Sequence, residues 1–501
     1  MGLKRNISAN YVSQIYVAAV GILTVPLYLR HMGAEAYGLI GFYTMLQAWF
    51  QLLDAGLSTT LARESARFNG GGTDAPHLVH LRQLLEAVFL AIAGLGLAGI
   101  WLMSPLVATR WLQVDTLGLP EVVRCVQLMG IVVACRWMSC LYRGVITGFE
   151  QQVWLSGCNT AVATARFVLC LPLIIYFDSR PSTYFYYQAI VAAVEALVLY
   201  TKSSALLPSR KAIGNAPRDW DTLGPTLRFA SGVAFTSVIW VLVTQVDKLV
   251  LSKLLPLSVY GEYTLAVLLS GGINLLSAPI STALLPRLTN TVAARDVGAM
   301  QDLYRRFTQI VCLVTMPAAV TLMAFGQQVL FAWTGNPAIS HSAAPVLGYY
   351  SLGNAVLGIA AFAYYIQYAR GDIRMHLLGN AVFVVLYLPA VVLAAQHYGA
   401  KGASIAWLAM NLLYLLCWVP LVHRRLLPGQ HVQWMAHDVL PLAIASIVPW
   451  LIVGQITLPD MNRWMSAGAA FAFFLASLAC ALASSSAARG WLTQRAALRT
   501  A

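Results

Sequence analysis

Apolar runs, each about the 20 residues that cross a bilayer as a helix, recur along the whole chain between short polar breaks. In lipid only a helix satisfies the backbone hydrogen bonds of such a run by itself. The runs predict fourteen helical spans, at about 8–30, 37–62, 82–103, 121–147, 153–177, 182–201, 224–251, 257–285, 304–325, 345–369, 375–395, 402–422, 437–456 and 463–484. A membrane β-barrel would show alternating segments of about ten residues, and the chain has none. Supply matches demand: 59% of 501 residues are hydrophobic, against roughly 280 residues for fourteen spans. Charged residues make up 10%, where a soluble domain carries about 25%, and mean hydropathy is +0.69. The expected fold class is an all-α polytopic membrane protein, without room for a large soluble catalytic domain. Disorder, collagen and a disulfide scaffold are excluded on the same grounds. The first span lacks a small-residue cleavage site and is expected to be retained.

Lys and Arg number 32 against 19 Asp and Glu, a net +13. In a polytopic chain such an excess belongs to cytoplasmic loops and sets orientation; it does not indicate nucleic acid. With the N-terminus inside, 22 of the basic residues fall in inner segments, 7 in outer ones and 3 within spans. Both termini are therefore expected in the cytoplasm. Outer loops are short, near 104–120 and 326–344. The polar stretch 202–223, with Pro208 and Pro217, is the expected boundary between an N-lobe, 1–201, and a C-lobe, 224–422. Two further spans, 437–485, and a cytoplasmic tail, 486–501, follow. The eight cysteines lie in apolar stretches without a CxxC pair, so they read as core residues and not as metal ligands or disulfides.

The segment Tyr37–Leu61 aligns without gaps to Tyr260–Leu284, with nine of 25 positions identical at an offset of 223. Both copies begin Tyr-Gly and share a Ser-Thr pair, Ser58-Thr59 and Ser281-Thr282. The repeat joins the second span to the eighth. Six spans per repeat is even, so the halves enter the membrane in the same direction and are expected to be related by a pseudo-two-fold axis along the membrane normal. Each copy carries polar residues at helical spacing: Gln47, Gln51, Asp54 and Ser58 in the first, Ser270, Asn274, Ser277 and Ser281 in the second. Such a stripe either lines a wet lumen or bonds one helix to another.

The opening ANYVSQIYVAAVGILTVPLYLRHMGAEAYGLIGFYTMLQAWFQLLDAGLSTTLARESARF resembles that of bacterial polysaccharide (Wzx-type) flippases, for O-antigen or exopolysaccharide, of the multidrug/oligosaccharidyl-lipid/polysaccharide exporter superfamily. The resemblance rests on Arg30 before Gly33, Tyr37 and Gly38, on Leu53-Asp54-Ala55-Gly56-Leu57 and Arg63, and on Tyr398-Gly399-Ala400-Lys401-Gly402-Ala403. It implies a secondary transporter that moves undecaprenyl-diphosphate-linked oligosaccharide from the cytoplasmic to the periplasmic leaflet by alternating access of two six-helix lobes. Coupling to an H+ or Na+ gradient, no other cofactor, and hand-over to a polymerase or chain-length machinery are implied with it.

Ionisable residues inside spans include Asp54, Arg136, Arg166, Glu195, Asp247 and Lys248. Each costs at least about 2.5 kcal/mol at bilayer centre and needs a partner or water. A guanidinium fork grips phosphate in two places and stays charged when desolvated, so Arg136, Arg166, Arg143 (seven residues after Arg136) and Lys248 are candidates for a site that holds the anionic cargo. The opposing reading is internal pairing, Arg166 with Asp54 or Glu195. Asp54, Glu195 and Asp247 are the candidates for ion coupling or ion pairing. Asp247 and Lys248 are adjacent, so they are expected on different sides of their helix, near its outer end.

Other signals carry less. The GxGxxG at Gly94–Gly99 lies inside a span without a preceding strand, and neither a Walker A sequence nor HExxH occurs. The tyrosines 364, 365 and 368 fit aromatic packing or a membrane belt. Competing functions are a multidrug/cation antiporter, a peptidoglycan-precursor flippase and a polytopic polymerase or ligase. The first span has no acid and the eighth no arginine, which lowers the first two; the short outer loops lower the third.

Overall fold

The computed structural model describes residues 3–54, 56–208, 223–453 and 461–485. The expected linker lies mostly outside this set and the expected tail wholly outside it. All regular structure described is helical; the one extended pairing is an isolated bridge between Gln113 and Pro256. The helices are α1 (Leu3–Gln51), α2 (Leu57–Asn69), α3 (Ala75–Leu106), α4 (Leu119–Gly148), α5 (Gln152–Ala163), α6 (Cys170–Tyr176), α7 (Pro181–Leu206), α8 (Leu223–Leu254), α9 (Leu257–Ser270) and α10 (Gly272–Ala293). They continue as α11 (Val297–Ala324), α12 (Gly326–Thr334), α13 (Pro337–Ala360), α14 (Phe362–Ala369), α15 (Arg374–Leu413), α16 (Val419–Leu426), α17 (Gln430–Gln433), α18 (Leu440–Val453) and α19 (Arg463–Ser484).

Among the described residues, eleven helical stretches are long and apolar enough to cross a membrane. Two of them, Ser8–Asp54 and Arg374–Leu426, run to 47 and 53 residues, about twice the 20 that a bilayer takes. Each is broken at a glycine, Gly33 with φ 86° and Gly399 with φ 58°, a backbone that residues with a Cβ adopt only at a cost. The breaks fall at the polar junctions expected between successive spans.

The second span departs from expectation. A 3-10 turn at Leu52–Asp54 and Gly56 at φ 75° interrupt it before α2 begins. Ser58 therefore does not extend the α1 face that carries Gln47 and Gln51. The Asp54 carboxylate accepts from the Ser58 amide at 3.0 Å and from its hydroxyl at 2.5 Å, which satisfies donors left open at a helix start. A shorter interruption at Gly271 separates α9 from α10, between Ser270 and Asn274. Consecutive glycines, poor helix formers, mark the spot.

The chain forms two compact units, Met1–Gly261 and Glu262–Ala501. In the first, α4 is the buried centre, packed on α3 through the Phe89–Trp137 ring stack at 4.5 Å and on α7. A Cβ on Gly144 would meet the Ser58 carbonyl at 2.5 Å, and one on Gly148 that of Ala62 at 2.3 Å, so a pair of glycines one turn apart lets α2 approach α4 backbone to backbone. In the second, α11, α13 and α14 share a core that includes Val311, Cys312, Ala355, Ile359 and Phe362. Large apolar side chains point outward, Leu95 76% and Leu102 79% exposed on α3, as a surface solvated by lipid requires.

Candidate functional site: an arginine cluster in the first unit

Four elements converge on one carboxylate. Glu195, on α7, is 5% exposed. Its Oε1 accepts from Arg143 Nη2 at 2.5 Å, and Arg136 Nη2 stands 3.6 Å from Oε2. Arg136 and Arg143 lie two helical turns apart on α4, so a carboxylate from α7 reaches both. Arg143 also donates to the Asn159 side chain from α5, and Arg136 Nη1 reaches Gln47 Oε1 of α1 at 3.4 Å. Of the expected stripe, Gln47 thus joins the cluster, whereas Gln51 is exposed.

Arg166 stands differently. Its Nε donates to Gln188 Oε1 at 3.2 Å, and among the described residues it makes no ion pair. The expected alternatives, Arg166 with Asp54 or with Glu195, are not formed: Glu195 is held by the two α4 arginines and Asp54 by Ser58. The backbone around Arg166 is a π-helical stretch, Thr164–Leu169. Pro172, two residues into α6, lacks an amide and crowds the carbonyl one turn earlier, which favours the wider coil. Carbonyls in this stretch are taken up by side chains: Ala165 by Tyr187 at 3.0 Å, Arg166 by Gln188 Nε2 at 3.0 Å and Phe167 by Tyr28 at 2.8 Å. Gln188 is 1% exposed and grips both the backbone and the side chain of Arg166. Gln188 carries no charge, so its signal in the sequence is that of a glutamine in the middle of an apolar span.

The remaining candidates lie elsewhere. Lys248 folds back on its neighbour, its Nζ 3.1 Å from both Asp247 oxygens and 2.7 Å from the Thr244 carbonyl. The expectation that these two part to different sides is corrected: the long lysine stem lets adjacent residues close an ion pair. In the second unit, Ser270 is buried and its carbonyl accepts from Asn354 at 3.0 Å. Asn274 is exposed, while Ser281 accepts from Tyr365 at 2.8 Å and donates to the Ser277 carbonyl at 3.1 Å. This half of the stripe bonds helix to helix. The tyrosines 364, 365 and 368 pack on one another.

Arg136, Arg143 and Arg166 bring three guanidiniums into the first unit, and Glu195 is the carboxylate that pairs with two of them.

The model of the polysaccharide biosynthesis protein family matches residues 3–292. The chain belongs to the polysaccharide biosynthesis protein family. The model of the lipid II flippase MurJ matches residues 210–479. A candidate O-antigen transporter of Shigella flexneri is 17% identical over 413 residues, 81% of this chain and 94% of that protein. Among solved structures, the lipid II flippase MurJ in an inward closed conformation superposes with a TM-score of 0.71 at 12% identity, over 93% of this chain and 97% of that one. An inward-facing multidrug resistance transporter of the MATE family gives 0.67 at 14% identity, over 82% and 94%. This polysaccharide biosynthesis protein is thus a membrane flippase of the exporter superfamily that its opening sequence resembles, with a MurJ- and MATE-like fold.

Proposed function

We propose that this flippase moves undecaprenyl-diphosphate-linked oligosaccharide from the cytoplasmic to the periplasmic leaflet for surface or exopolysaccharide biosynthesis. The observation that carries the reading is Arg166: a guanidinium on a π-helical stretch, oriented by neutral Gln188, that makes no ion pair among the described residues. A diphosphate bears charge on both phosphoryl groups and suits guanidinium forks. The same positive charge disfavours a cationic-drug antiporter by like-charge repulsion. A peptidoglycan precursor is likewise a sugar lipid on a diphosphate, so the site chemistry alone admits it as a second reading, which the MurJ match favours.

The architecture that goes with this reading has fourteen crossings. Each of the two long stretches counts as two, and α8 completes the set. Two six-helix lobes about an axis along the membrane normal, two added helices and both termini in the cytoplasm follow. Support for the axis comes from the Tyr-Gly motifs. A Cβ on Gly38 would lie 2.1 Å from the Leu257 carbonyl, and one on Gly261 2.2 Å from that of Ala34. The repeat offset carries Ala34 to Leu257 and Gly38 to Gly261, so the two contacts are images of each other.

Deleting the gene is expected to leave lipid-linked repeat units on the cytoplasmic leaflet, and normal polymerisation would reject the assignment. Arg136→Ala and Arg166→Ala should each abolish surface polysaccharide at unchanged protein abundance; wild-type polysaccharide in both would remove the cationic site. Accumulation of a peptidoglycan precursor in the deletion strain would select the second reading. Transport is driven by an H+ or Na+ gradient on this account, and collapsing each separately in vesicles identifies the ion.

A further inference from the structure

Glu195 is the one acidic side chain within ion-pair distance of the arginine cluster among the described residues. It does not hold its two partners alike. Oε1 is tight on Arg143 at 2.5 Å, whereas Oε2 is 3.6 Å from Arg136, beyond hydrogen-bond length. Oε2 and Arg136 Nε are both buried without a hydrogen-bond partner. A buried pair offsets its desolvation only when geometry is close and spare valences are filled. This one is closed at one end and open at the other. The neutral side chains of Asn159 and Gln47 bond the arginines and not the carboxylate.

We propose that Glu195 is a resident counter-anion that competes with the cargo's diphosphate for Arg136 and Arg143, its displacement admitting the cargo and its return driving the cargo out. This rests on the anionic sugar-lipid reading. Phosphoryl oxygens need the same Nη2 edges that the carboxylate occupies, so the two cannot be gripped at once. Three guanidiniums outnumber one carboxylate, so net positive charge remains to face the diphosphate once Glu195 is displaced. Glu195 is a positioning residue: it touches the arginines and not the cargo.

The test is transport of an undecaprenyl-diphosphate-linked oligosaccharide by the full chain in vesicles, comparing wild type with Glu195→Gln. The amide keeps the shape and can still accept from Arg143, but it no longer opposes an anion. The KM should fall about tenfold, a coupling of roughly 1.4 kcal/mol, and the maximal rate should fall by a similar factor because release loses its competitor. An unchanged or raised KM overturns the proposal, since a carboxylate that only pins α7 to α4 would lower abundance or rate without tightening binding. Glu195→Asp withdraws the charge by one methylene and should give an intermediate KM. If Glu195→Gln does not accumulate, a wild-type KM in the aspartate variant overturns the proposal instead. Thermal midpoints of the detergent-purified chain titrated with inorganic diphosphate separate the two readings. Failure of wild type to move the lipid rejects the transport assignment, while half-saturation at about tenfold lower diphosphate in Glu195→Gln still upholds the competition, and an unshifted titration rejects it.

Discussion

At the scale of single residues, Arg166 differs from its neighbours in what holds it. Arg136 and Arg143 share a carboxylate, and Arg166 is steadied by an amide. A lysine could supply the charge but not a planar fork that bonds Gln188 with one edge and a phosphate with another. Arg166→Lys is therefore expected to leave abundance intact and to lose at least about tenfold in transport, at the scale of one charge-assisted hydrogen bond; full activity would show that charge alone suffices. Asp438 poses a question of stability. Its buried carboxylate accepts from Arg305 Nε at 2.6 Å and Gln309 Nε2 at 2.6 Å, and Gln309 in turn accepts from Ser485 at 3.0 Å. Asp438→Ala leaves polar groups of α11 unmatched and should cost about 3 kcal/mol, read as a lower thermal midpoint in detergent; an unchanged midpoint would mean that the groups find water.

At the scale of elements, much was legible because lipid enforces it. Apolar runs must be helices, and the polar junctions at Gly33 and Gly399 fall where the chain turns back. What the sequence hid were interruptions inside runs. Hydropathy does not register the break before α2, the π-helical stretch at Arg166 or the one-residue interruption at Gly271: the first is held locally by Asp54 and Ser58, the second by hydrogen bonds from Tyr28, Tyr187 and Gln188 on other helices, and the third lies at consecutive glycines. The arginines of the site, Glu195 and Gln47 are legible in the sequence; which of them pair is not, since pairing depends on rotation of α4 against α7. The Tyr-Gly motifs read as a repeat signature prove to be a close backbone contact. The corner between α8 and α9 is tied down beside it: Leu257 N donates to the Gln113 carbonyl at 2.8 Å, Trp111 Nε1 to Ser252 at 3.0 Å and Ser258 to Asp115 at 2.9 Å. Gly261→Leu forces the helices apart, so a cysteine placed at Ser258 should label faster with a membrane-impermeant thiol reagent than in the parent chain. Equal labelling would mean the corner holds without the glycine.

At the scale of the whole molecule, the composition, the positive-charge bias and the internal repeat describe a chain that is almost entirely membrane, and the family to which it belongs moves material across one. A carrier of this kind needs no hydrolytic machinery, only a cluster whose charge opposes that of the cargo. The most direct measurement is transport in sealed vesicles of two otherwise identical glycolipids, one linked through diphosphate and one uncharged, by wild type and by Arg136→Ala/Arg166→Ala. The account predicts that wild type moves the diphosphate lipid and not the uncharged one, and that the double variant moves neither. Equal transport of both lipids, or a double variant as fast as wild type, would contradict it.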